Sequence, residues 1–194
     1  MDGAVVKNLV IEDARVYGYN HVGILAGQIK GESVITDVTV EGTAAANTSS
    51  GGYASDAAVG GLAGKIFGSS SGSRATIENV TATVNTVNLG ATSKTGGIAG
   101  EVSNAYIVDT SVSATGNNIL GRYYVGGIVG AMSSGTSLYN VSVDGTIGGN
   151  GAYAVGGITG YYEGGEIVVA RMFGEIGKTN AGTAREGILS VPAK

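Results

Sequence analysis

One six-residue phrase recurs along this chain and constrains its fold more than any other feature. It reads Val22-Gly23-Ile24-Leu25-Ala26-Gly27, Val59-Gly60-Gly61-Leu62-Ala63-Gly64 and Thr95-Gly96-Gly97-Ile98-Ala99-Gly100. Val125-Gly126-Gly127-Ile128-Val129-Gly130 and Val155-Gly156-Gly157-Ile158-Thr159-Gly160 follow, and a worn sixth copy stands at Arg185-Glu186-Gly187-Ile188-Leu189-Ser190. The copies start 37, 36, 30, 30 and 30 residues apart. Self-similarity at a period between about 20 and 50 residues marks a solenoid or a propeller, in which each unit buries its apolar face only against its neighbours. Such an array counts as one domain, so residues 1–194 are expected to form a single repeat domain, cut from a longer chain.

Glycine supplies 36 of the 194 residues, far above the usual ~7%. There is one proline and no collagen period, and 43% of residues are hydrophobic, so the chain can build a core. Charged residues make up 13% and the net charge is −4, without the clustered basic surface that nucleic acid requires. The absence of cysteine excludes disulfides, thiolate metal ligands and cysteine nucleophiles. No apolar run reaches the ~18 residues of a spanning helix, so membrane insertion is not expected. Met1-Asp2-Gly3-Ala4-Val5-Val6-Lys7 lacks the basic start and apolar centre of a signal peptide.

A second phrase alternates with the first. It reads Val6-Lys7-Asn8-Leu9-Val10-Ile11, Ile35-Thr36-Asp37-Val38-Thr39-Val40, Ile77-Glu78-Asn79-Val80-Thr81-Ala82, Ile107-Val108-Asp109-Thr110-Ser111-Val112 and Leu138-Tyr139-Asn140-Val141-Ser142-Val143. In the last copy, Ile167-Val168-Val169-Ala170-Arg171-Met172, the Asn or Asp is lost. These β-branched runs read as short strands. Their apolar phase slips by one at the Asn/Asp, which predicts a bend there, and these residues suit corners because they tolerate unusual dihedrals. The column Asn8, Asp37, Asn79, Asp109, Asn140 alternates amide with acid. If each repeat makes one turn, each amide can donate to a neighbouring acid, and no two carboxylates sit one strand apart.

Counting from the first residue of the glycine phrase, offsets +3 and +7 are large and apolar and +5 is always glycine. Offsets +1, +3, +5 and +7 are assigned inward, leaving a flat glycine wall that Ile35, Ile77, Ile107 and Leu138 can approach. Glycine costs roughly 0.5–1 kcal/mol relative to alanine, so its repetition needs a packing reason. A third strand is expected after the Asn/Asp phrase, as in Val143-Asp144-Gly145-Thr146-Ile147. The fold class is therefore all-β: a β-solenoid, expected as a right-handed parallel β-helix, with about six coils of ~30 residues and three short strands per coil. At about 4.8 Å per coil the rod would be roughly 25–30 Å long. The Ala/Ser/Gly/Thr-rich stretch near 43–57 reads as an insertion loop and residues 191–194, with Pro192, as an exit linker.

The copies Val59–Gly64, Thr95–Gly100, Val125–Gly130 and Val155–Gly160, with their Ile-x-Asn-Val-x-Val companions, resemble the GLUG motif of bacterial surface proteins. The first copy departs from it with Ile24 at the second glycine. The resemblance implies an extracellular, cell-surface or cell-wall setting and a non-catalytic segment of a large adhesin-like protein. It also allows an accessory region of an immunoglobulin A-cleaving zinc metallopeptidase. The motif is structural and brings no functional residue with it.

Candidate chemistry is sparse. His21 is the only histidine and H-E-x-x-H is absent, so the peptidase chemistry is not written here. Calcium-binding nonapeptides need a fixed Asp that these phrases lack, so no metal and no cofactor is expected. Glycan-cleaving β-helices group carboxylates on neighbouring turns. Glu12 and Glu41 share an offset, with Thr83, Ser113, Asp144 and Phe173 further down the column, a set that reads as a solvated face. Tyr123 and Tyr153 are equivalent, with Tyr124 and Tyr161 close by. These four are the candidate ligand-binding residues, for a glycan or a host protein, the alternative being that they cover the rod's side. The expected function is a non-enzymatic stalk, spacer or binding face. Its partners are flanking domains of the same polypeptide, and end-to-end self-association is also open to it through strand edges.

Overall fold

The computed structural model describes residues 1–46, 56–150, 152–179 and 185–186, all strand or connection, with no helix among them. The first repeat runs β1 (Val5–Gly18), β2 (His21–Val22) and β3 (Ala26–Lys30), and the second β4 (Val34–Ala46), β5 (Ala58–Gly60) and β6 (Ala63–Phe67). The third holds β7 (Ala75–Asn88), β8 (Lys94–Gly96) and β9 (Ala99–Ser103), and the fourth β10 (Ala105–Gly121), β11 (Tyr124–Gly126) and β12 (Val129–Met132). The fifth holds β13 (Ser137–Asn150), β14 (Ala154–Gly156) and β15 (Thr159–Tyr162), followed by β16 (Glu166–Thr179) and β17 (Arg185–Glu186). Each of the first five repeats gives one strand to each of three parallel sheets, and β16 and β17 add a sixth strand to two of them. The long strands order β1-β4-β7-β10-β13-β16, the first short strands β2-β5-β8-β11-β14-β17, and the second short strands β3-β6-β9-β12-β15. The fold is thus all-β with parallel sheets, and equivalent phrases pair residue for residue, as in Ile77↔Ile107↔Leu138.

The division of strands differs from three short segments. The Asn/Asp phrase and the strand expected after it are one continuous strand, 13 to 17 residues long where both halves pair. The bend predicted at the Asn/Asp is present without breaking the ladder. Asn8, Asp37, Asn79, Asp109 and Asn140 all sit at φ between 48° and 56°, the left-handed region that Asn and Asp reach at least cost among residues with a side chain. Asn79 Nδ2 donates to Asp37 Oδ1 and Asn140 Nδ2 to Asp109 Oδ1, each at 2.6 Å. The alternation in the sequence therefore yields two hydrogen-bonded amide–acid pairs.

The glycine phrase is a corner between two sheets. Its first two residues end one short strand and its last two begin the next. The turn between them is stitched to the neighbouring repeat: Leu62 N and Ala63 N both donate to Ile98 O at 3.0 and 3.1 Å, and Ile98 N and Ala99 N both donate to Ile128 O at 2.9 and 3.2 Å. The large residues at offsets +3 and +7 lie in the core as assigned, Leu62, Ile66, Ile98 and Val102 among them, but the alternation does not hold across the corner. In the third to fifth copies the whole phrase is buried, even offsets included. The second glycine faces the interior, where a Cβ on Gly97 or Gly127 would strike Val112 or Val143 and Ile147. The wall opposite the glycines is thus built of these residues, while Ile35, Ile77, Ile107 and Leu138 are buried elsewhere in the same core.

The first and last glycines serve a different approach. A Cβ on Gly96 would lie 2.6 Å from Ile128 O and 2.9 Å from Gly130 N, and one on Gly100 2.6 Å from both Lys94 O and Val59 N. The two short-strand sheets touch backbone to backbone, far inside the ~10 Å that side chains normally impose between packed sheets.

The remaining expectations fall unevenly. In the stretch near 43–57, Thr43–Ala46 belong to β4. Thr43–Ala45 pair with both β1 and β7 and Ala46 with β1, and the buried Ala44 continues the inward face between Val16 and Thr86. Residues 47–55 and the linker 191–194 lie outside the described residues. The sixth glycine phrase is displaced by one: Glu186, not Arg185, pairs with Val155.

Candidate functional site

The residues flanking the glycine corner, at offsets −1 and +6, form one outward ridge that crosses successive repeats. His21 and Gln28 open it, Lys65 follows, then Lys94 with Glu101, then Tyr124, then Tyr161. The register fixes the order, since Tyr124 is the strand neighbour of Lys94, and Lys65 of Glu101.

At its first end the ridge is polar and internally satisfied. Gln28 Nε2 lies 3.0 Å from His21 Nδ1. Burial, then the charge of Lys65, lower the His21 pKa and favour the neutral ring, whose Nδ1 can accept from the amide in the Nε2–H tautomer. Beside it stands a charge quartet that sequence reasoning missed. Lys65 Nζ reaches Asp56 at 3.2 Å and Glu101 at 2.8 Å, while Lys94 Nζ reaches Asp56 at 2.8 Å and Glu101 at 2.9 Å. Burial alone would raise both carboxyls, but the ammonium hydrogen bonds outweigh it and hold Asp56 and Glu101 below the ordinary range. Burial would likewise lower Lys94, and its two carboxylate partners raise it instead. The readable signal was the opposite charge of Lys94 and Glu101 at the two corner flanks. Asp56 ends the irregular insertion, where no repeat pattern could place it. A shallow depression of about 270 Å³, lined by Gln28, Lys65, Phe67, Glu101 and Ser103, adjoins the quartet.

The tyrosines named from the sequence converge at the other end. Tyr123 stacks on Tyr153 with centroids 5.0 Å apart and planes at 18°, and Tyr124 on Tyr161 at 4.5 Å and 12°. Tyr123 and Tyr124 touch at 4.3 Å, inclined by 50°. The second stack is diagonal. The strand partner of Tyr124 is Ala154 and that of Tyr161 is Ala131, and these small residues leave the rings room to meet. Burial, then the hydrogen bond with Tyr123, push Tyr124 up to about 12. Tyr123 and Tyr124 are half-buried, whereas Tyr153 and Tyr161 remain 55% and 41% exposed.

The carboxylates weighed for glycan cleavage are not brought together. Glu12 falls in a bulge, where Glu12 and Asp13 stand against the single Glu41, so the two glutamates do not stack one on one. Glu41, Thr83, Ser113 and Asp144 are successive strand neighbours, which sets Glu41 and Asp144 about 14 Å apart at ~4.8 Å per strand. Paired glycosidase carboxyls stand about 5–9.5 Å apart. Arg15 does share a depression of about 280 Å³ with Asp13 and Glu41, but Asp144 does not line it.

Residues 55–88 match the family described as the GLUG motif. The matched segment opens at the second glycine corner and closes at the end of β7, so the motif is one corner with the long strand that follows it. No curated protein matches the chain. Among solved structures, a Bacteroides ovatus protein provisionally named an immunoglobulin A1 protease is similar in fold, with a TM-score of 0.56 and 18% identity over 89% of this chain. The chain spans about half of that protein, 51% of its length. The second glycine corner and the long strand after it thus match the GLUG motif, and the all-β parallel fold that carries them is similar to that of the larger protein.

Proposed function

We propose that this chain is a non-enzymatic repeat segment of a large secreted or surface-attached bacterial protein. In this reading it winds as a right-handed parallel β-helix, each repeat forming one coil, and serves as a stalk or spacer that holds neighbouring domains apart. One observation carries the reading: each of the first five repeats adds one parallel strand to each of three sheets, with equivalent phrases aligned and the register shifts confined to bulges in the long strands, so the segment can be lengthened without a new kind of contact. The GLUG match at residues 55–88 and the fold likeness to a protein named as an immunoglobulin A1 protease support the extracellular setting. They also favour, as a second reading, an accessory region of such a peptidase.

The chain has no cysteine, so Val10→Cys and Phe173→Cys can be spin-labelled as a clean pair. Their strands are the first and last of a six-stranded sheet, and the labels should lie roughly 25 Å apart at ~4.8 Å per strand. On cells displaying the chain with a tag at its far end, removing repeats should make the tag less accessible to a bulky antibody. Tag access that ignores repeat number would overturn the spacer role.

A further inference from the structure

We propose that the ridge from the charge quartet to the tyrosine cluster binds a neutral, hydroxyl-rich glycan chain lying along the direction in which the repeats stack. The inference goes beyond the spacer reading and is tested separately from it. Tyr153 and Tyr161 each have one ring face pinned by a stacked partner while staying 55% and 41% exposed. A ring held from behind offers its free face at little further entropic cost, and aromatic faces are what the C–H side of a sugar packs against.

Polar groups continue at strand spacing on the same ridge. Tyr124 is followed by its neighbour Lys94, whose ammonium is fixed between Asp56 and Glu101. Two lysines and two acids sum to zero charge, which suits a neutral ligand with hydroxyls that both donate and accept. The ~4.8 Å strand spacing is close to the length of one pyranose unit in an extended chain, so one sugar can meet each repeat.

A bound peptide fits less well. Adding a strand needs an open sheet edge. Among the described residues β15, which carries Tyr161, is such an edge, but β11 and β12 are paired on both sides, so a peptide strand could pair at that end and not along the ridge.

The test is native gel electrophoresis through gels containing mixed-linkage β-glucan, galactomannan or dextran, with heparin as an anionic control. At least one neutral polymer should retard the protein, with little change on raising the salt. Tyr153→Ala and Tyr161→Ala should each weaken retardation at least tenfold, while Tyr161→Phe, which keeps the ring face, should retain it. The chain has no tryptophan, so the retarding polymer should also change the tyrosine emission of the unmutated protein, a readout that does not depend on any variant folding. The proposal is overturned by retardation in heparin alone, by retardation in none of the polymers, by folded alanine variants that bind like the parent, or by an unchanged tyrosine emission.

Discussion

At the scale of single residues, the fold rests on positions where only one kind of side chain fits. Gly96 is pressed between two repeats, with backbone atoms of Ile128 and Gly130 within 3 Å of where a Cβ would sit. Overpacking of this kind costs typically 1–3 kcal/mol, and backbone cannot swing aside as a side chain can. Gly96→Ala should therefore lower stability by about 3 kcal/mol in urea unfolding. Gly72→Ala, whose Cβ would meet only Ser70 Oγ at 3.9 Å, should be nearly neutral. Val169 is the converse case, since it holds the left-handed corner at φ 54° in the one repeat that has lost its Asn or Asp. A β-branched residue there is strained by roughly 1–2 kcal/mol, and Val169→Asn should raise the melting temperature by about 2–4 °C.

At the scale of elements, the charge quartet ties β6 to β8 and β9 through Lys65, Lys94 and Glu101. Glu101 is held below its ordinary 4.5, so in the window between the two values the unfolded chain binds more protons than the folded one. That contribution is present above the unfolded value and is lost as pH falls through the folded one. Lys94 is raised above 10.5, so its contribution is full below that value and is lost as pH rises through the folded one. Glu101→Gln should cost about 1 kcal/mol near neutrality and flatten the acid limb of a stability-versus-pH curve, read by thermal melts.

The sequence disclosed the period, the bent corner and the acid–amide column, because each is a local pattern repeated in phase. It did not disclose that the glycine phrase is shared between two sheets. A fully buried corner such as Val125–Gly130 has no exposed side, so alternation carries no information about where the chain turns. The tyrosine cluster was legible as two equivalent positions, Tyr123 and Tyr153. Its diagonal stack depends on the gaps left by Ala131 and Ala154, which only the register shows.

At the scale of the molecule, neighbouring repeats are the main contacts, so whole units should be removable. Cutting out residues 126–155 joins Val125 to Gly156, which are already equivalent to consecutive residues of one corner. The shortened chain should keep its sheet circular dichroism and a cooperative melt, as stability in such arrays is close to a sum over units and interfaces. Removing residues 130–149 instead puts every later strand out of register and should abolish the melt. The alternating amide–acid column at the long-strand corner adds an arithmetic of its own. Copying only the unit that contains Asp109 would set two carboxylates side by side, a repulsion of about 3 kcal/mol at an effective dielectric of 20. Copying it together with the unit of Asn79 restores the alternation of amide and acid, so a gene encoding this chain lengthens it smoothly in twos and with friction in ones.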